Sequence, residues 1–296
     1  MNILLLIFLY IVWGTTYTAI VYALEGFEPF AMAGWRFLVA GLFFAPMTKL
    51  EHWKLKNSWP SIVGGIGLAT GNALVVWSQT IMPSGLAALF IGSVPLWLIL
   101  LDWLFYSKTK PHPLSMMGCF VGLIGLYLLS VQTGADLSLR TSAIALIAAA
   151  LFWSVGTLVI RNAKVQLTRR SALSVQLVYG GVFQQILAFF NGEAFFPKAS
   201  ALESAPLWAW IYLVVFGSIL AMNAYNYLLT VTSPAIIGTY ALANPVVALI
   251  LGHLLFDEEI GASTILSGVL VLVGVALILA SGRVRPLVPT KYMKSQ

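Results

Sequence analysis

Two large aromatics and three threonine hydroxyls sit together in WGTTYT, residues 13–18, inside an apolar run from Asn2 to Leu24. Trp13 and Tyr17 are four residues apart, so on a helix they share a face, with Thr16 beside them. The chemistry such a group supports is non-covalent binding, because rings give rigid apolar contact and hydroxyls give direction. Tryptophan in a membrane helix ordinarily favours the interface, so a ring at mid-helix suits a cavity wall. Packing offers another reading of the same residues. Gly14 permits close backbone approach, and threonines bond neighbouring helices or their own preceding turn. Trp153 repeats the feature later in the chain.

Further polar residues recur at helical spacing. Asn72 and Gln79 are seven apart, Asn223 and Tyr227 four apart with Asn226 beside them, and Tyr240 and Asn244 four apart just before Pro245. An amide in hydrocarbon is costly unless bonded, so these groups are expected to face one another or water. Each alone is also ordinary interhelical glue. Pro95 and Pro245 each remove a backbone donor inside an apolar run, which makes a kink, a hinge or an exposed carbonyl acceptor. The expected substrate-binding set is therefore Trp13, Thr16, Tyr17, Asn72, Gln79, Pro95, Trp153, Asn223, Tyr227, Tyr240 and Asn244.

Two charges lie within apolar runs. Arg36 falls about 10 Å into the second run at ~1.5 Å per residue. It can bind an anionic substrate group, join a buried network, or snorkel toward Glu25 and Glu28. Asp102 lies about one turn before the end of the fourth run; pairing with Lys108 and proton coupling are its two readings. His253, four residues before Asp257, is expected at an interface. One cysteine, Cys119, and three scattered histidines make no metal site or disulfide framework. No phosphate-cradling loop, HExxH or Ser–His–Asp set is present, so neither an enzyme nor a cofactor is expected.

The elements that must position these residues are membrane helices. The chain is 60% hydrophobic and 9% charged, against ~45–50% and ~25% in soluble domains. A span needs about 20 apolar residues. Ten segments qualify: 2–24, 29–48, 58–80, 84–106, 114–131, 141–160, 171–190, 206–229, 234–256 and 263–281. The runs are continuous rather than alternating, which selects helices over a barrel. The first run is too long for a signal peptide and lacks a small-residue cleavage site, so it reads as a span. With both termini cytoplasmic, thirteen of sixteen Lys and Arg residues fall in inner loops or the tail. Arg140 and Lys198 alone fall in outer loops. That bias sets the orientation, and the dispersed net charge of +6 gives no reason to expect nucleic acid.

The chain also repeats itself. Residues 84–130 align without a gap on 234–280, placing Pro95 on Pro245 and Gly118 on Gly268. At an offset of 140, Trp13 falls on Trp153 and Gly41 on Gly181. Two five-span halves imply an inverted repeat, 1–131 and 141–281, with a cytoplasmic tail at 282–296.

WGTTY with AGWRFLVAG, GNALVVW, PSGLAAL and a mid-helix VP resembles the first repeat of the EamA family of the drug/metabolite transporter superfamily. FWS, GSILAMNAYNYLL, SPAIIGTYALANPVVALILG and a following DEE resemble its second. The resemblance covers nearly the whole chain and is nearest the YedA/PecM-like branch. It implies a ten-helix bundle with a central cavity that exports small metabolites from the inner membrane of a bacterium. The family often carries a glutamate after the fourth and ninth helices. Glu258 or Glu259 keeps the second, but Lys108 stands at the first. Ser78 stands where close relatives tend to carry a carboxylate, so the resemblance gives no proton-coupling acid there.

The expected function is secondary export of amino-acid-like or amphipathic solutes by alternating access. A polyanion would call for several basic groups, and Arg36 is the only one available within the spans. The rivals are a multidrug or lipophilic-cation exporter using an acid such as Asp102, and a non-transporting membrane assembly protein. Expected partners are the small-molecule substrate, membrane lipid and, as a coupling ion, the proton. Oligomeric state, substrate identity and coupling mode are not legible in the sequence.

Overall fold

The computed structural model describes residues 2–130, 137–163, 167–197, 199, 205–256 and 261–281. The tail at 282–296, Glu258 and Glu259 lie outside the described residues. The described chain is helical, without a strand among the described residues.

Ten helical segments follow one another: α1 (Asn2–Leu24), α2 (Pro29–Phe44), α3 (Leu55–Ser78), α4 (Ser84–Ser107), α5 (Pro113–Ser130), α6 (Leu137–Arg161), α7 (Arg169–Phe190), α8 (Ala205–Val231), α9 (Pro234–Phe256) and α10 (Ala262–Ser281). Eight described helices are long and apolar enough to cross a membrane, and two apolar helices, Pro113–Gly125 and Ile265–Ser281, are shorter. Several starts are written in the local sequence. Pro29 occupies the first turn of α2, where a missing N–H costs nothing. The Ser233 hydroxyl caps α9 by accepting from the Ile236 N–H at 3.2 Å.

Two helices depart from regular α geometry. Helix α4 is interrupted between Ile91 and Val94, where Gly92 and Ser93 form a turn. It finishes in a π-helical stretch, Asp102–Ser107, that Lys108 ends with a left-handed φ of 56°. Helix α8 carries a π-helical stretch at Leu213–Leu220, a feature that often marks a functional position.

The helices pair as α2 with α7, α5 with α10, α3 with α6 and α7, α1 with α8 and α9, and α4 with α6 and α9. Small residues permit the closest approaches. A Cβ at Gly64 of α3 would meet Gly156 O at 2.9 Å, and one at Gly156 of α6 would meet Gly64 O at 2.6 Å. Backbone thus rests on backbone, the contact on which helix association in lipid depends. The main core cluster draws Leu9, Phe37, Leu68, Leu98, Leu158 and Tyr225 together. Opposite faces stay apolar and exposed. Ile3, Leu4, Ile7 and Ile11 mark one flank of α1; Ile265, Leu266, Val269, Leu272 and Val273 mark α10. A belt of this kind is a hazard in water and the ordinary surface of a protein in lipid.

Candidate substrate cavity

Trp13 is the midpoint of α1, and it organises an aromatic cluster. Its ring centroid lies 4.6 Å from that of Tyr240, 5.1 Å from Tyr225 and 5.6 Å from Trp153. Tyr225 closes the set, at 5.7 Å from Tyr240 and 5.9 Å from Trp153. These are tilted or edge-to-face contacts, the arrangement ring quadrupoles favour. The polar tips are also satisfied. Trp13 Nε1 donates to Gly217 O at 3.1 Å, in the π-helical stretch of α8. Trp153 Nε1 donates to Tyr225 Oη at 3.3 Å, and Tyr225 shares a hydrogen bond with Thr157 at 2.6 Å.

Against this cluster lies a narrow cavity of about 70 Å³, smaller than a site holding a drug-sized ligand, so a solute enters it only as the helices part. Trp13, Tyr17, Trp153 and Tyr240 give it aromatic walls, Ile20, Val75 and Ile91 add aliphatic surface, and Thr16, Asn72, Asn244 and Arg36 bring polarity. Residues from α1, α2, α3 and α4 meet residues from α6 and α9 there.

The polar groups are oriented by hydrogen bonds to neighbouring side chains and backbone. Asn72 Oδ1 accepts from Gln184 Nε2 at 3.3 Å, and the same nitrogen donates to Ala69 O at 2.9 Å. The Asn244 amide nitrogen, turned toward backbone, donates to Tyr240 O at 2.8 Å and Tyr10 O at 3.2 Å. Thr16 donates to Trp13 O at 2.7 Å, so its hydroxyl hydrogen is held by its own helix. Gly14 serves packing: a Cβ there would meet Val247 Cβ at 2.5 Å. The WGTTYT stretch thus both packs and lines the cavity.

Seven of the residues singled out from sequence line this cavity: Trp13, Thr16, Tyr17, Asn72, Trp153, Tyr240 and Asn244. Four do not. Gln79 sits just past the end of α3 and donates to Tyr17 O at 3.4 Å, behind the wall. Pro95 opens the second part of α4 and packs on Gly238, whose Cβ position is 3.0 Å from Pro95 Cα. Ile91, before the break, reaches the cavity instead. Asn223 is half-buried away from the lining, and Tyr227 lies under the Arg169 guanidinium at 5.3 Å.

Of the readings given for the charged positions, Arg36 has the buried, hydrogen-bonded one and Asp102 lacks the pairing with Lys108. Arg36 is 4% exposed and does not snorkel. Its Nε donates to Ser218 Oγ at 2.7 Å. Asp102 does not pair with Lys108: the lysine Nζ donates to Leu104 O at 2.6 Å, because the left-handed turn at Lys108 folds its side chain back along α4. Asp102 instead lines a second cavity of about 720 Å³ with Lys110, His112, Arg161 and Thr232. Arg161 Nη1 donates to Leu229 O and Thr232 O, both at 2.6 Å, tying the end of α6 to the end of α8.

Spacing did not single out Tyr225, the most enclosed ring of the cluster, or Gln184, the partner of Asn72. Gln184 had a signal, since Gln176 and Gln184 are eight apart in an apolar helix and share a face. Tyr225 lies two residues from both Asn223 and Tyr227, off the face those residues define.

The sequence matches the EamA-like transporter family over residues 1–131 and 140–280. It is 35% identical over 260 residues to YedA of Escherichia coli strain K12, named an uncharacterized inner membrane transporter, covering 85% of this chain and 82% of that one. It is 26% identical over 295 residues to the protein PecM of Dickeya dadantii, covering 93% of each. A solved crystal structure superposes with a TM-score of 0.73 at 17% identity, covering 93% of this chain and 95% of its own, a likeness of fold alone. With both matched segments together spanning most of its length, the chain belongs to the EamA-like transporter family.

Proposed function

We propose that this protein is a secondary transporter that exports small amino-acid-like or amphipathic metabolites across the bacterial inner membrane. The observation that carries the reading is the cavity at the midpoint of α1, walled by Trp13, Tyr17, Trp153 and Tyr240 and oriented by Asn72 and Asn244. Both termini are taken as cytoplasmic on the distribution of Lys and Arg.

Helix pairing supports an inverted repeat. Exchange α1–α5 with α6–α10, and the pairs α2–α7, α4–α9 and α5–α10 map onto themselves. The pair α1–α9 becomes α6–α4, and α3–α6 becomes α8–α1; all are observed contacts. Five antiparallel spans per half set the halves in opposite orientation, the architecture on which rocking about a central site depends.

In that topology the ring cluster is a floor beneath the cavity on the cytoplasmic side. Tyr225 lies toward the cytoplasmic end of α8, and the cavity beside Asp102 and Arg161 lies beyond it. Export then requires the floor to part toward the cytoplasm, take up solute, and close while the outer side opens. Rigid rings offer the solute apolar area at low entropic cost, and pre-oriented amides supply direction. A lipophilic-cation exporter would need a carboxylate at the solute. Among the described lining residues there is none, which favours the metabolite reading.

The test is export itself. Cells overexpressing the protein should accumulate a small metabolite outside, and purified protein in proteoliposomes should move that compound. Failure of any solute to move would support a non-transporting assembly role.

A further inference from the structure

Arg36 is the only charged residue in the cavity lining among the described residues, and it has no acidic partner there. The ion pairs found within 4 Å among the described residues join Lys49 and His52 to Glu51, far from it in sequence. Arg36 is 4% exposed, and its Nη1 is buried without a hydrogen-bond partner. A buried cation with an unmet donor is expensive, and intramembrane charges of this kind usually serve a ligand or a relay.

The surroundings hold this guanidinium in place. Ser218 Oγ accepts from Nε at 2.7 Å. Gly217 gives the guanidinium room: a Cβ there would stand 2.9 Å from Nη2. The Phe37 ring lies 5.7 Å from Cζ. One edge of the fork is thus fixed by α8, while Nη1 keeps its donors unused.

Resting on the transporter reading above, we propose that Arg36 is the anchor for one carboxylate of the solute, whose apolar or aromatic body lies against Trp13, Tyr17, Trp153 and Tyr240. The planar fork matches a carboxylate. One cation balances one negative charge, so a monocarboxylate fits and a polyanion does not. Uptake of the solute supplies the missing acceptor, and the solute carries the counter-charge through the membrane-depth site. The substrate class is therefore narrowed from small amphipathic metabolites to organic acids, including amino acids, with an apolar side.

The probes are 3-phenylpropionate and its neutral isostere 3-phenylpropanamide, with binding to purified protein measured by calorimetry. The parent should bind the carboxylate at least about tenfold more tightly, the scale of one charge-assisted hydrogen-bonded pair. In Arg36→Gln that preference should collapse toward one, and Arg36→Lys should keep part of it. Should Arg36→Gln not fold, Ser218→Ala is read instead, and its preference should fall. Equal binding of the two probes by the parent overturns the proposal. So does a folded Arg36→Gln, or Ser218→Ala in its place, that keeps the parent's preference. Binding of neither probe overturns the substrate class. Trp13→Ala separates the two readings, because it should weaken both probes alike. If it does so while the parent shows no carboxylate preference, the cavity stands and the Arg36 anchor falls.

Discussion

Trp13 and Trp153 meet edge to face, with centroids 5.6 Å apart and ring planes at 89°. These are the tryptophans that the 140-residue offset superposes, so the two halves of the sequence touch through equivalent residues. Each indole N–H is also committed, one to Gly217 O and the other to Tyr225 Oη. The rings are therefore fixed in azimuth as well as position, a precondition for a binding wall.

Truncating that wall should change solute affinity. Trp13→Ala and Tyr17→Ala each remove apolar contact worth roughly 1–3 kcal/mol, which is about a five- to 150-fold rise in transport KM. The measurement is KM at matched folded amounts. Unchanged KM with earlier melting would make these residues packing alone.

Orientation is checked by reporter fusions. A fusion after Ser107 should report the cytoplasm, and one after Glu203 the outside. The same side for both would sink the inverted-repeat reading.

Arg161 should act as a latch. Its two 2.6 Å bonds to Leu229 O and Thr232 O hold the ends of α6 and α8 together. Arg161→Gln should loosen that end. A cysteine at Thr157 in a Cys119→Ser background should then be labelled faster by a maleimide applied from the cytoplasmic side. Equal labelling would show that the bonds do not gate access.

Asp102 lines the second cavity and not the one against Trp13. Asp102→Asn should leave solute affinity within about twofold, a free-energy change well below one decade of binding. A larger loss of affinity would place the acid at the solute after all.

Glu193 bridges the end of α7 to the start of α2, its Oε2 accepting from the Ala31 N–H at 2.8 Å. As an added cap, its loss in Glu193→Ala should cost about 0.5–2 kcal/mol. Desolvation holds its carboxyl above the ordinary range, a rise opposed by the Ala31 and Phe30 N–H groups and aided by Glu28. The folded state therefore binds the proton more tightly than the unfolded one. This contribution favours folding below the ordinary carboxylate range and is lost as pH rises through the raised pKa. Melting of the parent should show this component, and Glu193→Gln should lack it.

The sequence alone determined the class of this protein. Continuous apolar runs can satisfy their backbone in lipid only as helices, and the spacing of those runs dictated ten segments without any knowledge of packing. Helical periodicity also assigned faces, which is why Trp13 with Tyr17, and Tyr240 with Asn244, arrive in one cavity as pairs. Periodicity cannot say which face meets which helix. Asn72 and Gln79 share a stripe, yet seven residues of rise put Asn72 at the cavity and Gln79 behind Tyr17. Asn223 and Tyr227 share another stripe that turns elsewhere, while Tyr225 on a different face enters the ring cluster. Lys108 could not be predicted to abandon Asp102, because that follows from a left-handed residue ending a π-helical turn. The rotation of each helix about its axis is set by contacts such as Gly64 on Gly156 and Gly14 under Val247. Those contacts join residues distant in the chain, so only the tertiary structure decided which polar groups share a space and which are buried as packing.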